Sequence, residues 1–290
     1  MSIVSIALLA VSVLMTVPLY AEPLTIDPSQ NPTVFVAESS LDWTAGLIRA
    51  QVGLNLGAAG IVLPSGRTQA EMSLETAVPD LIREEVMAIG LDSYRTVRDS
   101  LMDGSLDASA FEAYLEHGTK TRSSLSRDLG RLTATYEWRL ADLAALYVKH
   151  SRPVDLPAAE RYVPSKTYTG IVVFIKGEYG VRGEHRSAAI SPCLFPRLYD
   201  DNMLTIVERN VLEPQALQSW GAVAYATEID DPIVAARAGA EPLRIMASEI
   251  FGSRRTDAVI GTEDALKILI SAENRDVVRQ GRIVFIIDPP

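Results

Sequence analysis

Residues 282–288, RIVFIID, set five apolar side chains in a row, Ile283 to Ile287, between one charged residue and another. A run this short and this rich in β-branched residues reads as a strand, and a strand without a polar side reads as a central one. The chain must therefore supply a sheet to surround it. Candidate neighbours are the β-branched stretch TYTGIVVFIKG, the segment LTIVERN and the segment WGAVAYAT over 220–227. EPLRIMASEIF alternates at Leu243, Ile245 and Ala247. DAVIGTEDALKILISA reads as a strand followed by a helix with Thr262 as its N-cap and acidic residues in its first turn.

The upstream half reads differently. LDWTAGLIRAQVGL (41–54) fits one strand, and LTATYEWRL alternates Leu132, Ala134, Tyr136, Trp138 and Leu140 as a second. Between them, Leu74, Val78, Leu81, Ile82, Val86 and Ile89 recur at three and four, which predicts an amphipathic helix over 67–89 that Pro79 kinks or restarts. Asp107 is placed to cap a helix carrying Phe111, Tyr114 and Leu115. A short helix follows over 141–149. The three tryptophans, Trp43, Trp138 and Trp220, all fall in strand-like alternation, which assigns them to core or sheet face.

SRPVDLPAAERYVPSK (151–166) carries three prolines and divides the chain into modules at 41–150 and 167–290. The expected fold is α+β, with mostly antiparallel sheets and helices packed on one side. Residues 22–40, also with three prolines, read as a linker. Residues 1–21 lack any charged side chain, are apolar from Ile3 to Val17, and end at Leu19-Tyr20-Ala21. They read as a secretory signal peptide, with an N-terminal anchor as the alternative. Export to the periplasm follows. No cysteine follows the apolar run, so a lipid attached at such a residue is not expected.

Bulk charge narrows the partners. The chain has 290 residues and a formal net charge of −10, with its basic residues scattered. Phosphate backbones and anionic lipid surfaces would repel it, so nucleic acid is not an expected partner.

Clustered chemistry is sparse. The single cysteine, Cys193, lies in ISPCLFPRLYDDNM, and a thiolate nucleophile needs a base. Of His117, His150 and His185 only the last is near in sequence, so a buried, apolar thiol is the favoured reading. YDDN, IDDP and TED lack the alternating oxygens and turn glycine of a calcium loop and read as turns. Zinc ligand spacing is missing, and GLNLGAAG and GEYGVRG fit no phosphate-binding loop. No catalytic residue, metal or cofactor is assigned. Arg182, His185 and Arg186 form a candidate ligand loop for a small molecule or cell-wall fragment.

In order along the chain, YTGIVV, PCLFPRLYDDN, VERNV, WGAVAYAT, PLRIMASEIFG, TDAVIGTEDALKIL and GRIVFIID resemble the C-terminal half of the FlgP-type family of exported bacterial flagellar and envelope proteins. The positions that carry the likeness include Thr169, Gly170, Pro196, Tyr199 and Asp200, then Gly221, Tyr225 and Pro242, and finally Asp257 and Asp288. DWTAGLIRA and the following helix resemble the same family's N-terminal module. The resemblance implies a non-enzymatic structural protein without cofactor, which self-assembles or binds protein partners in a ring of the flagellar motor or envelope. It also implies peripheral contact with the envelope. The lipidated cysteine of the family's lipoproteins has no counterpart here, and the loop 176–189 is longer than usual.

Overall fold

Residues 34–159 and 163–289 are described by the computed structural model. The signal peptide or anchor expected over 1–21, the linker up to residue 33 and residues 160–162 of the connector lie outside the described residues.

The first module opens with β1 (Phe35–Asp42) and β2 (Leu47–Asn55), an antiparallel hairpin. Two expectations change here. The stretch 22–40 is strand from Phe35 onward, and 41–54 is two strands around a turn. Asp42 makes that turn: its carboxylate accepts from the Ala45 amide at 2.9 Å and the Thr44 hydroxyl at 2.8 Å, and Gly46 takes φ +67°. Those hydrogen bonds, led by the Ala45 amide, hold the Asp42 carboxyl below its usual range. An aspartate-led turn hides easily inside an alternating run.

After the hairpin come α1 (Arg67–Ala88), α2 (Val97–Met102), α3 (Ala108–Glu116), β3 (Thr119–Leu125), β4 (Arg131–Arg139) and α4 (Leu140–Ala145). The sheet order is β1-β2-β4-β3, antiparallel throughout. The helix α1 runs uninterrupted through Pro79, because its apolar stripe of Ala70, Leu74, Val78, Ile82 and Val86 is buried whole. That stripe shares a core with Ile48, Ala50, Val52 and Leu54 of β2 and with the buried alternate residues of β4. Asp107 caps α3 as expected, accepting from the Ala110 amide at 2.9 Å.

The second module comprises β5 (Ile171–Phe174), β6 (Tyr179–Gly180), β7 (Ser187–Ala188), β8 (Leu198–Asp200), β9 (Thr205–Val207), α5 (Pro214–Trp220), β10 (Ala224–Ala226), α6 (Pro232–Ala238), β11 (Leu243–Phe251), β12 (Asp257–Ile260), α7 (Thr262–Leu269), α8 (Ala272–Arg279) and β13 (Ile283–Ile286). Seven of these strands form one sheet in the order β10-β13-β5-β11-β12-β8-β9. RIVFIID is indeed interior, with β10 on one side and β5 on the other.

The expected antiparallel arrangement describes the first module, whereas this second sheet is mixed. β10–β13, β13–β5, β5–β11 and β8–β12 are parallel, and β11–β12 and β8–β9 are antiparallel. Parallel strands need crossover connections, and α6 lies on the one that carries the chain from β10 past β13 and β5 to β11. Helices also cover both faces. Val172, Val284 and Ile286 pack with Val234 and Ala238 of α6 on one side. Ile171, Val173, Ile283 and Phe285 join the main core on the other, together with Ile268 of α7 and Val278 of α8.

That main core is continuous between the modules. The segment around Cys193 docks on the loop after α1: Leu194 and Phe195 donate backbone hydrogen bonds to Gly90 and Leu91 at 3.0 and 2.9 Å. Trp43 meets Tyr225 edge-on at 5.6 Å, and Tyr147 meets Phe195 at 5.7 Å. Among the described residues no helix is long and apolar enough to cross a membrane.

Candidate functional site

Cys193 is buried, and its backbone is clasped by one side chain. The Tyr225 hydroxyl accepts from the Cys193 amide at 3.0 Å and donates to the Cys193 carbonyl at 2.9 Å. Burial, reinforced by the Asp257 carboxylate, raises the thiol pKa. His150 faces the Leu212 carbonyl at 2.8 Å, and His185 is exposed. Neither is set to draw a proton from this sulfur.

The aspartates of YDDN divide the work of a corner. Asp200 is buried and accepts from the Asn202 and Leu204 amides, both at 2.8 Å, which closes the turn out of β8. Asp201 reaches the start of α7 and accepts from the Thr262 amide at 3.0 Å. Thr262 is thus the first helical residue, with Gly261 as N-cap. The donor is met from a distant segment, a partner that local sequence does not reveal.

Asp257 is only 1% exposed. One carboxylate oxygen accepts from the Arg197 amide at 3.0 Å and the Thr256 hydroxyl at 3.1 Å, while the other is buried with no hydrogen-bond partner. Desolvation raises its pKa. The folded state therefore holds this proton more tightly than the unfolded chain. The stability linked to it is complete below the ordinary carboxylate range and is lost as pH rises through the raised folded value. Asp257→Asn keeps the acceptor and removes the titration. Urea unfolding across a pH series should show variant and wild type close at the acid end, with the variant gaining as pH rises. A constant difference at every pH would sink this assignment.

The other motif positions are joints between elements. The Thr169 hydroxyl donates to the Ala238 carbonyl at 2.7 Å and accepts from the Glu241 amide at 3.0 Å. Gly170 lies against the last turn of α6. Gly221, at φ +75°, ends α5. Tyr199 takes the Arg197 guanidinium on its hydroxyl at 3.2 Å. Asp288 accepts from the Gly177 amide at 2.6 Å. Pro196 and Pro242 stand just before β8 and β11, where a missing N–H does least harm.

The loop carrying Arg182, His185 and Arg186 is an exposed hairpin. Arg182 pairs with Glu249 and donates to the Asp201 carbonyl, and Arg186 pairs with Glu184. None of the three residues lines either of the two cavities below.

The structure instead opens a cavity of about 200 Å³ between the modules. The β1–β2 turn with Trp43, α4 with Leu140 and Ala141, and the segment Trp220–Tyr225 form its walls. Arg139 and Arg237 also line it, and no carboxylate does. Arg237 is 2% exposed. Its three nitrogens donate to the carbonyls of Gly281, Trp220 and Gly221 at 2.5 to 2.8 Å, at or just past the C-terminal ends of α8 and α5, where helix dipoles favour a cation. The guanidinium lies 4.4 Å over the Trp220 ring. Among the described residues it has no acidic partner, and burial pulls its pKa down to about 9. Trp220, expected in a strand, ends α5 and is 36% exposed. Arg237 was not singled out by sequence. Its signal was present: it is the one charge in PIVAARAGA, residues 232–240.

A second, open groove of about 450 Å³ runs beside β1, between Leu41, Trp43 and Ile48 on the sheet and Ala88, Ile89 and Pro192 opposite. Among the described residues no three His, Cys, Asp or Glu side chains are grouped to hold a metal ion.

Fold and sites together define an α+β protein of two modules that share a core. Residues 34–146 match the model of the N-terminal domain of Treponema pallidum Tp0624, and residues 170–289 match the model of that protein's second domain. The two consecutive matches point to a two-module, Tp0624-like family. No curated protein matches the chain.

Proposed function

We propose that this is a non-enzymatic assembly protein of the cell envelope, exported to the periplasm, whose copies join along β1. The observation that carries the reading is the open edge of that strand. β1 pairs with β2 over eight residues, and among the described residues nothing pairs with its other side. The other edges are blunted. β3 carries Lys120, Arg122 and a register break between them, and β9 and β10 are three residues long.

The register suits a second copy. Val34 turns its carbonyl to the Asn55 amide, so antiparallel alternation leaves the backbone groups of Phe35, Ala37, Ser39 and Leu41 facing outward. Two β1 strands crossing at Ser39 would set Ala37 opposite Leu41 and Glu38 opposite Ser40, with no like charges facing. Leu41 of each copy would then cover part of the groove of the other. The reading of residues 1–21 as an export signal and the resemblance of the motif order to the FlgP-type family support an envelope role, in a flagellar-motor or envelope ring. A ring needs a further, head-to-tail contact beside this two-fold one.

Ser39→Pro tests the reading, because the lost N–H points away from β2 and edge strands tolerate proline. Sedimentation should show concentration-dependent association of the wild type and a folded monomer for the variant. A wild type that stays monomeric up to its solubility limit would overturn the proposal. Deleting the gene should impair motility or envelope integrity if the finer assignment holds.

A further inference from the structure

We infer that the cavity between the modules is a binding site for a small organic carboxylate with an apolar body, held between Arg237 inside and Arg139 at the mouth. In a chain of net charge −10, this cavity shows two positive side chains and no negative one. A guanidinium has five N–H groups. Three of those on Arg237 face backbone carbonyls, one from each nitrogen, which leaves one on each terminal nitrogen. Carbonyl oxygens satisfy hydrogen bonds without neutralising the charge, so the buried cation lacks a counter-ion that a ligand would supply.

The rest of the wall selects the body of that ligand. Trp43, Leu140, Ala141, Ile233 and the Trp220 ring are apolar surface, the usual lining of a small-molecule pocket with few polar groups. Bare phosphate would find few further donors to replace its water, since the Thr44 and Ser219 hydroxyls in the wall already donate to Asp42 and to the Gln215 carbonyl. A volume of about 200 Å³ holds a single-ring acid and little more. Arg139 donates to the Ser219 carbonyl at 2.6 Å and pairs at 3.4 Å with Asp142, so it stands at the rim partly occupied and adds attraction rather than the main contact. The cavity does not use the open edge of β1, although Trp43 lines both the cavity and the groove beside that strand.

Titration of the full protein with 3-phenylpropionate, followed by tryptophan fluorescence and by thermal shift, tests the site. Trp43 and Trp220 line it and report directly. Saturable binding is expected, with the neutral 3-phenylpropanamide at least about tenfold weaker, the factor carried by one charge-assisted hydrogen bond. Inorganic phosphate at matched ionic strength should not compete. Ala141→Phe, which fills the mouth, should abolish binding. Arg139→Gln, an exposed change that leaves the fold intact, should weaken binding several-fold and flatten its salt dependence. Equal affinity for acid and amide would reduce the site to an apolar hole and overturn the inference. So would competition by phosphate, full binding by a folded Ala141→Phe, or no saturable signal from the wild type.

Discussion

Gly170→Ala is expected to destabilise the protein by about 3 kcal/mol, at the upper end of what overpacking costs. A Cβ at Gly170 would lie 2.3 Å from both the Cα and the carbonyl oxygen of Ala238 and 2.6 Å from its Cβ. Two of those atoms are backbone, so no rotamer change relieves the clash. Either α6 lifts from β5 or the strand moves away from β13 and β11. Lifting α6 would also break the Thr169 bond to Ala238 and open the cluster of Val172, Val234 and Val284. Urea unfolding should show a lower midpoint, and the shift should be far larger than for Gly180→Ala, where an added Cβ meets nothing within 4 Å. Equal midpoints for the two variants would disprove the close-approach account of the Thr-Gly pair.

Tyr225→Phe should cost roughly 2–6 kcal/mol, since it leaves two buried backbone groups unmet at about 1–3 kcal/mol each. The ring would keep its edge contacts with Trp43 and Phe285, at 5.6 and 6.1 Å. What disappears is the hydroxyl, which satisfies both the amide and the carbonyl of Cys193. The loss should therefore appear with little change in the packing signals of the aromatic core. Cys193→Ala, by contrast, leaves both hydrogen bonds in place. A Tyr225→Phe variant as stable as the wild type would mean that Cys193 finds other partners and that the tyrosine is not the clasp.

Much of the element content was readable in advance because its causes are local. The 3.6-residue stripe of α1, the alternation of β4, the Asp107 cap and the apolar run of β13 each depend on residues a few positions apart. Expectations failed where the cause was distant or subtle. Asp42 turned an alternating stretch into a hairpin. Thr262 lost its capping role to Asp201, sixty-one residues upstream of it. Trp220 joined a helix because Pro214 starts one and Gly221, at φ +75°, stops it.

The candidate sites divide along the same line. Thr169, Gly170 and Tyr225 were visible in the sequence only as places in a pattern, and their tasks as joints emerge from their partners. Arg182, His185 and Arg186 looked like a ligand loop because they cluster in sequence, and the two arginines turn to Glu249 and Glu184 instead. Arg237 is a lone charge in an apolar helix, and its role depends on carbonyls up to 44 positions away.

The sequence by itself determined the α1 helix, the β4 strand, the α3 cap and that RIVFIID lies inside a sheet. Those properties follow from side-chain periodicity and from local competition for backbone hydrogen bonds. Only the tertiary structure decided that the second sheet is mixed and covered on both faces, that Tyr225 holds Cys193, and that two arginines face a cavity without a carboxylate. Each of these depends on which buried polar groups meet across long separations, as Ser93 and Thr256 do at 2.9 Å and 163 residues apart. Burial penalises such a group left without a partner, and chain topology chooses the partner it finds.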